Sequence, residues 1–289
     1  MIVKIIIGPT ASGKSALAVE RALGDNGTII NADAMQCYDA LPILTAQPTE
    51  SEKQNIPHTL YGVLKANERM SAADWVSMAA TEIEKAHNEG RTPYLVGGTG
   101  MYIKALTEGL SPMPDIPTEV RADVRARPLD ELYALLQEAD APSAARLKPT
   151  DTQRVMRAVE VLLATGTPLS EWQAIPLQKP STAWQFHTIT LSPPKEVLEA
   201  KIRTRLDAML KAGAMDEVKA LSDKIDAGEV PADAPITVAH GFKYLRRVLK
   251  HEMSLEEALE LTAIETRQYT KRQRTWLRHQ LKADEALPA

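Results

Sequence analysis

"GPTASGKS" occupies Gly8–Ser15, directly after the apolar run Ile2–Ile7 and directly before "ALAVERAL". The octapeptide matches G-x-x-x-x-G-K-[ST] through Gly8, Gly13, Lys14 and Ser15. Glycines in this spacing let successive backbone N–H groups turn inward around phosphate oxygens, at the positive end of a helix. The predicted phosphate-binding loop is therefore Gly8, Pro9, Thr10, Ala11, Ser12, Gly13, Lys14 and Ser15. Lys14 supplies a point charge, and Ser15 can hold Mg²⁺. Such loops serve nucleotides such as ATP and other diphosphates alike, so whose phosphate is bound must be read elsewhere.

Working outward, Val3–Ile7 is an unbroken β-branched run, as in a strand buried on both faces. Ala16, Leu17, Val19 and Leu23 keep helical spacing until Gly24. A second short strand, Thr28–Asn31, ends at Ala32-Asp33. Ser71 and Asp74 resemble a capping box that opens a helix closed by Gly90. "PYLVGGTG" is a third buried strand running into a glycine turn. This alternation predicts an α/β fold: a P-loop NTPase-like parallel sheet flanked by helices, with sites at the carboxyl ends of the strands. Pro112, Pro114 and Pro117 then punctuate a boundary, after which the pattern is helical to about Gly166. A strand-like "WQFHTITLS" follows, and from Pro194 four helices are predicted at roughly 195–212, 214–227, 242–251 and 255–281. The expected organisation is a catalytic core of 1–114 and 183–289, holding an inserted small helical domain over 115–182.

The chain of 289 residues has an ordinary globular balance, 44% hydrophobic and 25% charged. No apolar run reaches the ~20 residues of a membrane span, and the first residues lack a signal-peptide pattern. Cys37 is the single cysteine, which excludes an internal disulfide and a cysteine-based zinc site. A cytoplasmic protein is expected. Net charge is −4, but Arg267, Lys271, Arg272, Arg274, Arg278 and Lys282 face only Glu265 between Ile264 and Lys282, a local +5. A basic element on an acidic body suggests a confined anionic contact.

Asp33 ends the second strand, so its carboxylate should face the loop's crevice, as a metal ligand, a general base or simply a turn-capping residue. Thr99 follows Gly97-Gly98 at the end of the third strand and could reach the same ligand. Lys201 and Arg205 stand four apart on one helix face, a spacing that most often means solvated charge. Arg267, Lys271, Arg274 and Arg278 fall at i, i+4, i+7 and i+11, a single stripe interleaved with Gln268, Tyr269, Gln273 and Trp276. That stripe is either a solvated face or a contact for nucleic-acid phosphates. His58 and Cys37 read as structural.

"GPTASGKS", "NADAMQCY", "TAQP", "PH" at 57–58, "SAADW", "LVGGTGMYIKALTEGLSP", "DTQRVMRAVEVLLATG", "RTRLDAML" and "TRQYTKRQRTWLR" occur in this order. In this the chain resembles the tRNA dimethylallyltransferases, also called tRNA isopentenyltransferases. The resemblance implies that the loop holds the diphosphate of dimethylallyl diphosphate. The implied acceptor is the exocyclic amine of the adenosine just 3′ of the anticodon. By the resemblance, Asp33 takes the amine's proton, while Thr99 and Arg205 hold the diphosphate with Lys14, and Mg²⁺ on Ser15 shares that task. It also implies tRNA contacts at Asp33, Ala34, Met35 and Gln36, at Thr99, at Arg121, and at Asp151, Thr152, Gln153, Arg154 and Val155. The stripe Arg267, Lys271, Arg274 and Arg278 joins them, with the inserted helices clamping the anticodon stem–loop. A monomer is expected.

Several positions depart from the family's pattern. Ala34 stands where a serine is usual, and Ala40–Pro48 replaces Gly-Met-Asp-Ile-Gly-Thr-Ala-Lys-Pro. Gly62 stands at a frequent aspartate, and Gly241-Phe242 replaces Gly-Tyr. The competing readings are a small-molecule P-loop kinase, with Asp33 on an acceptor hydroxyl, and an ATP-gated RNA-binding module without catalysis. Neither gives the basic helix and the intact Asp33, Lys14, Ser15 and Arg205 a joint purpose.

Overall fold

In the computed structural model, which describes residues 1–288, six strands form one parallel sheet. They are β1 (Ile2–Ile7), β2 (Gly27–Asn31), β3 (His58–Thr59), β4 (Thr92–Gly97), β5 (Gln185–Leu191) and β6 (Glu285–Leu287). The order is β3-β2-β4-β1-β5-β6, so β1 is central and its loop opens at the carboxyl edge. The expected P-loop α/β class is therefore the observed one.

Helices α1 (Lys14–Gly24), α2 (Glu50–Lys53), α3 (Ala72–Asn88) and α4 (Gly100–Glu108) belong to the first half. α1 buries Ala18, Val19 and Ala22 against Ile6, Ile29, Tyr94 and Val96 of three strands. The predicted capping box of α3 is present, Ser71 and Asp74 each bonding the other's backbone. Trp75 of α3 is fully buried. Its ring stacks on Tyr102 of α4 at 4.6 Å, and its indole N–H donates to Asn31 O at 3.0 Å. Two helices are thereby fastened to the end of β2, two residues before Asp33.

The chain divides into two compact units, Met1–Thr107 with Pro180–Ala289, and Glu108–Lys179. The division falls a few residues from 115 and 182 because Leu110 and Gln178 pair backbone to backbone, drawing both linkers into the smaller unit. That unit contains α5 (Thr118–Ala126), α6 (Leu129–Ala139), α7 (Ala141–Arg146), α8 (Thr152–Thr165) and α9 (Leu169–Ala174). Its own core joins Val124, Leu132, Leu136, Val155 and Val159.

The larger unit resumes with β5, then α10 (Lys195–Lys211), α11 (Ala214–Asp226), α12 (Phe242–Leu249) and α13 (Leu255–Gln280). All four match their predicted spans to within two residues. Leu41 and Leu44 pack with Val218, Leu221, Phe242 and Leu245. The Glu217 carboxylate accepts the Ile43 and Leu44 N–H groups at 2.8 and 3.0 Å. The departing segment Ala40–Pro48 is thus anchored from α11 by apolar burial and two charge-assisted bonds.

No helix among the described residues is long and apolar enough to cross a membrane. β2 and β4 approach so closely that a Cβ on Gly97 would lie 2.1 Å from the Ala32 carbonyl carbon and oxygen. Gly97→Ala is accordingly expected to cost on the order of 3 kcal/mol through forced separation of two central strands. A denaturation midpoint equal to that of the unsubstituted protein would contradict this.

Candidate active site

The loop between β1 and α1 has the backbone its glycines promise. Ala11 and Gly13 take positive φ, 65° and 91°, and Ser12 N–H turns back to Pro9 O at 3.1 Å. No acidic side chain stands in the first turn of α1, so its free N–H groups have no carboxylate of their own helix to neutralise them. They face a cavity of about 650 Å³ lined also by Lys14, Ser15, His58, Tyr61, Lys201 and Arg205. The Ser12 hydroxyl oxygen and Arg205 Nε are buried without a partner. Buried polar groups without partners are costly, and an anion's oxygens would satisfy the donors among them.

Asp33 lies in the turn after β2, and Asn31 fixes that turn. The Asn31 amide donates to Asp33 O and Leu60 O, each at 3.0 Å, and its oxygen accepts the Asp33 N–H at 2.9 Å. Of the roles the sequence allows, Asp33 shows the turn-capping one, with its second oxygen left unengaged. Its Oδ1 caps the turn by accepting the Met35 N–H at 3.1 Å, while Oδ2 faces the Gly98 backbone. Thr99 joins the two segments, its oxygen accepting the Ala34 N–H at 3.0 Å and its hydroxyl hydrogen left to donate.

Charge ties these groups together. Burial pulls the Lys14 ammonium down to about 8, the Arg205 guanidinium pushes the same way, and Asp33 opposes both. Burial also lowers Arg205, again against the pull of Asp33. Two cations are therefore held in poorly solvated positions with one nearby carboxylate, an arrangement that a bound polyanion would relieve. His58 is pushed down by burial, its Nδ1 paired with Ile56 O at 2.8 Å. Cys37 is fully buried and its thiol is pushed up to about 12, so it behaves as a small apolar residue.

The stripe on α13 lines a second cavity, of about 890 Å³. Arg267, Lys271, Arg274 and Arg278 open into it beside Lys195. Arg267 pairs with Glu199 at 3.6 Å. The neighbouring face of α13 turns inward. Gln273 bonds to Thr10 and Gly98, and Trp276 covers Gly100. Tyr269 lies 4.7 Å from the His240 ring, whose Nδ1 stands 3.6 Å from Glu265.

Of the other residues singled out in the sequence, Ala34 and Met35 lie in the Asp33 turn. Gln36 spends its amide donors on Thr45 O and Ala46 O, both at 2.8 Å. Within the smaller unit, Asp151 caps α8 and pairs with Arg154 at 3.4 Å. Thr152, Gln153 and Arg154 are exposed, whereas Val155 points into the core and offers no side chain to a ligand. Arg121 is half-buried, its Nε without a partner. Lys201, noted in the sequence beside Arg205, and Tyr269 and Gln273, noted within the stripe, carried no assigned role there, and Asn31 and His240 gave no functional sign.

Loop, carboxylate and two poorly solvated cations at one edge of a parallel sheet define a P-loop α/β protein with an anion-suited cavity. An IPP transferase family model matches residues 36–280. The tRNA dimethylallyltransferase of Azorhizobium caulinodans is 46% identical over 284 residues, covering 96% of this chain and 89% of the relative. That of Zymomonas mobilis is 43% identical over 278 residues, covering 96% and 88%. Among solved structures, a eukaryotic dimethylallyltransferase acting on tRNA aligns with a TM-score of 0.81 at 29% identity, over 96% of this chain and 69% of that one. The tRNA isopentenylpyrophosphate transferase of Bacillus halodurans aligns at 0.70 with 31% identity, over 99% and 89%. The chain belongs to the IPP transferase family, the tRNA dimethylallyltransferases, and is a prenyltransferase.

Proposed function

We propose that this enzyme transfers the dimethylallyl group of dimethylallyl diphosphate to the exocyclic amine of the adenosine 3′-adjacent to the anticodon of tRNA, releasing diphosphate. The carrying observation is that Lys14 and Arg205 line the loop's cavity while the charge of Asp33 acts on both. The amine is a poor nucleophile because its lone pair is delocalised into the ring. As the new C–N bond forms and the C–O bond to diphosphate breaks, Asp33 accepts the amine's proton. Oδ2 is the basic atom, since Oδ1 is engaged by Met35. The leaving oxygens gain charge, which the loop N–H groups, Lys14, Arg205 and the Thr99 hydroxyl stabilise.

Ser15 fits a Mg²⁺ role: it offers an oxygen at the cavity, and among the described residues no acidic or histidine cluster forms a dedicated metal cage. Mg²⁺ favours one or two protein oxygens completed by substrate phosphates and water. When bound, it would neutralise charge on the diphosphate.

The target base must leave its stack to be reached, and the anticodon stem–loop is assigned to the inserted helices through Arg121 and Asp151–Arg154. The stripe serves its backbone phosphates. One chain supplies every group named, so a monomer suffices, and a cytoplasmic location suits the substrate. Incubation with tRNA and dimethylallyl diphosphate, followed by nucleoside mass spectrometry, should give an adenosine heavier by one dimethylallyl group. Phosphoryl transfer from ATP in place of it would establish the kinase alternative.

Replacing both Arg274 and Arg278 by Gln is expected to flatten the log–log salt dependence of tRNA binding by about two units. The KM for tRNA should rise and that for the diphosphate should stay. Thermal stability should change little, because the charges of exposed Arg278 and half-buried Arg274 open toward solvent, where such groups contribute about 0.2–1 kcal/mol. An unchanged slope would make the stripe a solvated face.

A further inference from the structure

Gln273 lies among the stripe residues of α13, yet its side chain turns inward and is only 6% exposed. Its Oε1 accepts the Thr10 N–H at 2.9 Å, and its Nε2 donates to Gly98 O at 3.0 Å. Thr10 belongs to the loop leaving β1, and Gly98 to the turn leaving β4, the neighbouring strand. Space for the amide exists only because Gly98 lacks a side chain: a Cβ there would stand 2.3 Å from Nε2. From Gly98 the chain passes to Thr99, which bonds Ala34 beside Asp33. A single amide therefore spans the diphosphate cradle and the turn leaving β4, whose Thr99 is bonded to the separate turn that carries the base. Its donor and acceptor are both used, a combination that methionine lacks entirely and ionised glutamate keeps only in part.

We infer that Gln273 is a positioning residue for the transfer step, setting the separation between the loop and the Asp33–Thr99 turn without touching either substrate. The inference rests on the transfer reading above. Displacement requires the amine, the prenyl carbon and the leaving oxygen to be in line, and small misplacements are costly. The loop holds the leaving oxygens and Asp33 holds the amine. Slack between them acts on the rate of transfer, not on the binding of either partner.

The test compares wild type with Gln273→Met and Gln273→Glu. It measures single-turnover transfer, the affinity for tRNA alone, and the affinity for inorganic pyrophosphate alone. Gln273→Met is expected to slow transfer by ~10²-fold. Its two affinities, and the salt slope for tRNA, should stay within about threefold of wild type, the pattern of an interaction expressed only in the transition state. Gln273→Glu keeps the acceptor for Thr10 and loses the donor to Gly98 O while ionised. Protonation restores that donor, so its rate relative to wild type at the same pH should rise as pH falls.

Transfer by Gln273→Met within about threefold of wild type would overturn the inference. So would a loss confined to tRNA affinity, which would make Gln273 an RNA contact, or a Glu-to-wild-type ratio flat with pH. If Gln273→Met does not fold, the pH ratio of Gln273→Glu decides alone. Absence of transfer by the wild-type chain would remove the transfer reading and this inference together, whereas wild-type transfer with an unaffected variant removes only the inference.

Discussion

Asp33→Asn is expected to lower turnover of dimethylallyl transfer by about 10²–10⁴-fold, the usual weight of a general base, while tRNA binding stays nearly intact. The amide keeps an oxygen for the Met35 N–H, so the turn that Asn31 and Oδ1 hold should survive. What is lost is the atom facing Gly98 that can take a proton. A second signature follows from the charge coupling. Asp33 raises the Lys14 pKa, so in the asparagine variant Lys14 should lose its proton below about 8. Turnover within threefold of wild type would remove Asp33 from the chemistry.

The second large effect concerns the cradle. Lys14 titrates at about 8 where 10.5 is ordinary, because it is buried beside Arg205. Diphosphate favours the charged ammonium. Below about pH 8 the free enzyme already carries that charge, and above it binding must take up a proton. Affinity for dimethylallyl diphosphate should thus be constant at lower pH and fall by up to about tenfold per unit as pH rises beyond 8. Lys14→Ala should abolish this dependence and lower transfer by about 10²–10³-fold. Arg205→Ala should also impair transfer, but should raise the Lys14 pKa by removing a like charge, shifting the alkaline fall to higher pH. Neither substitution should weaken binding of tRNA alone. An affinity profile for the diphosphate that is flat through pH 8 would exclude Lys14 as its counter-charge.

The sheet and its loop were legible because buried parallel strands are continuous β-branched runs and because a glycine loop with Lys14 has few other uses. The edges were not. β3 spans two residues, and β6 is Glu285–Leu287, with neither alternation nor β-branching. Both exist through pairing with β2 and β5, a property of their neighbours. The site shows the same split. Asp33 and Thr99 announced themselves by ending strands, and Arg205 gained meaning from the family resemblance. Gln273 carried no local sign, since a glutamine between arginines reads as a solvent-facing residue. Its role depends on a bond to a loop at the other end of the chain. Asn31 read as the last residue of a strand, although its side chain shapes the catalytic turn.

That separation has a consequence for synthesis. β1 emerges first, yet its partner β5 emerges only after the whole helical insertion has been made. The insertion draws on local contacts and can fold as it leaves the ribosome, whereas the central sheet must wait for long-range closure. The last helix arrives later still, and Thr10 meets Gln273 across 263 residues. A chain whose translation stops before α13 contains the glycine loop and Lys14, but neither the amide that ties the loop to the turn leaving β4 nor the basic stripe. Prematurely terminated products therefore carry the glycine loop and the inserted helices without the inward-turned amide and basic face of α13.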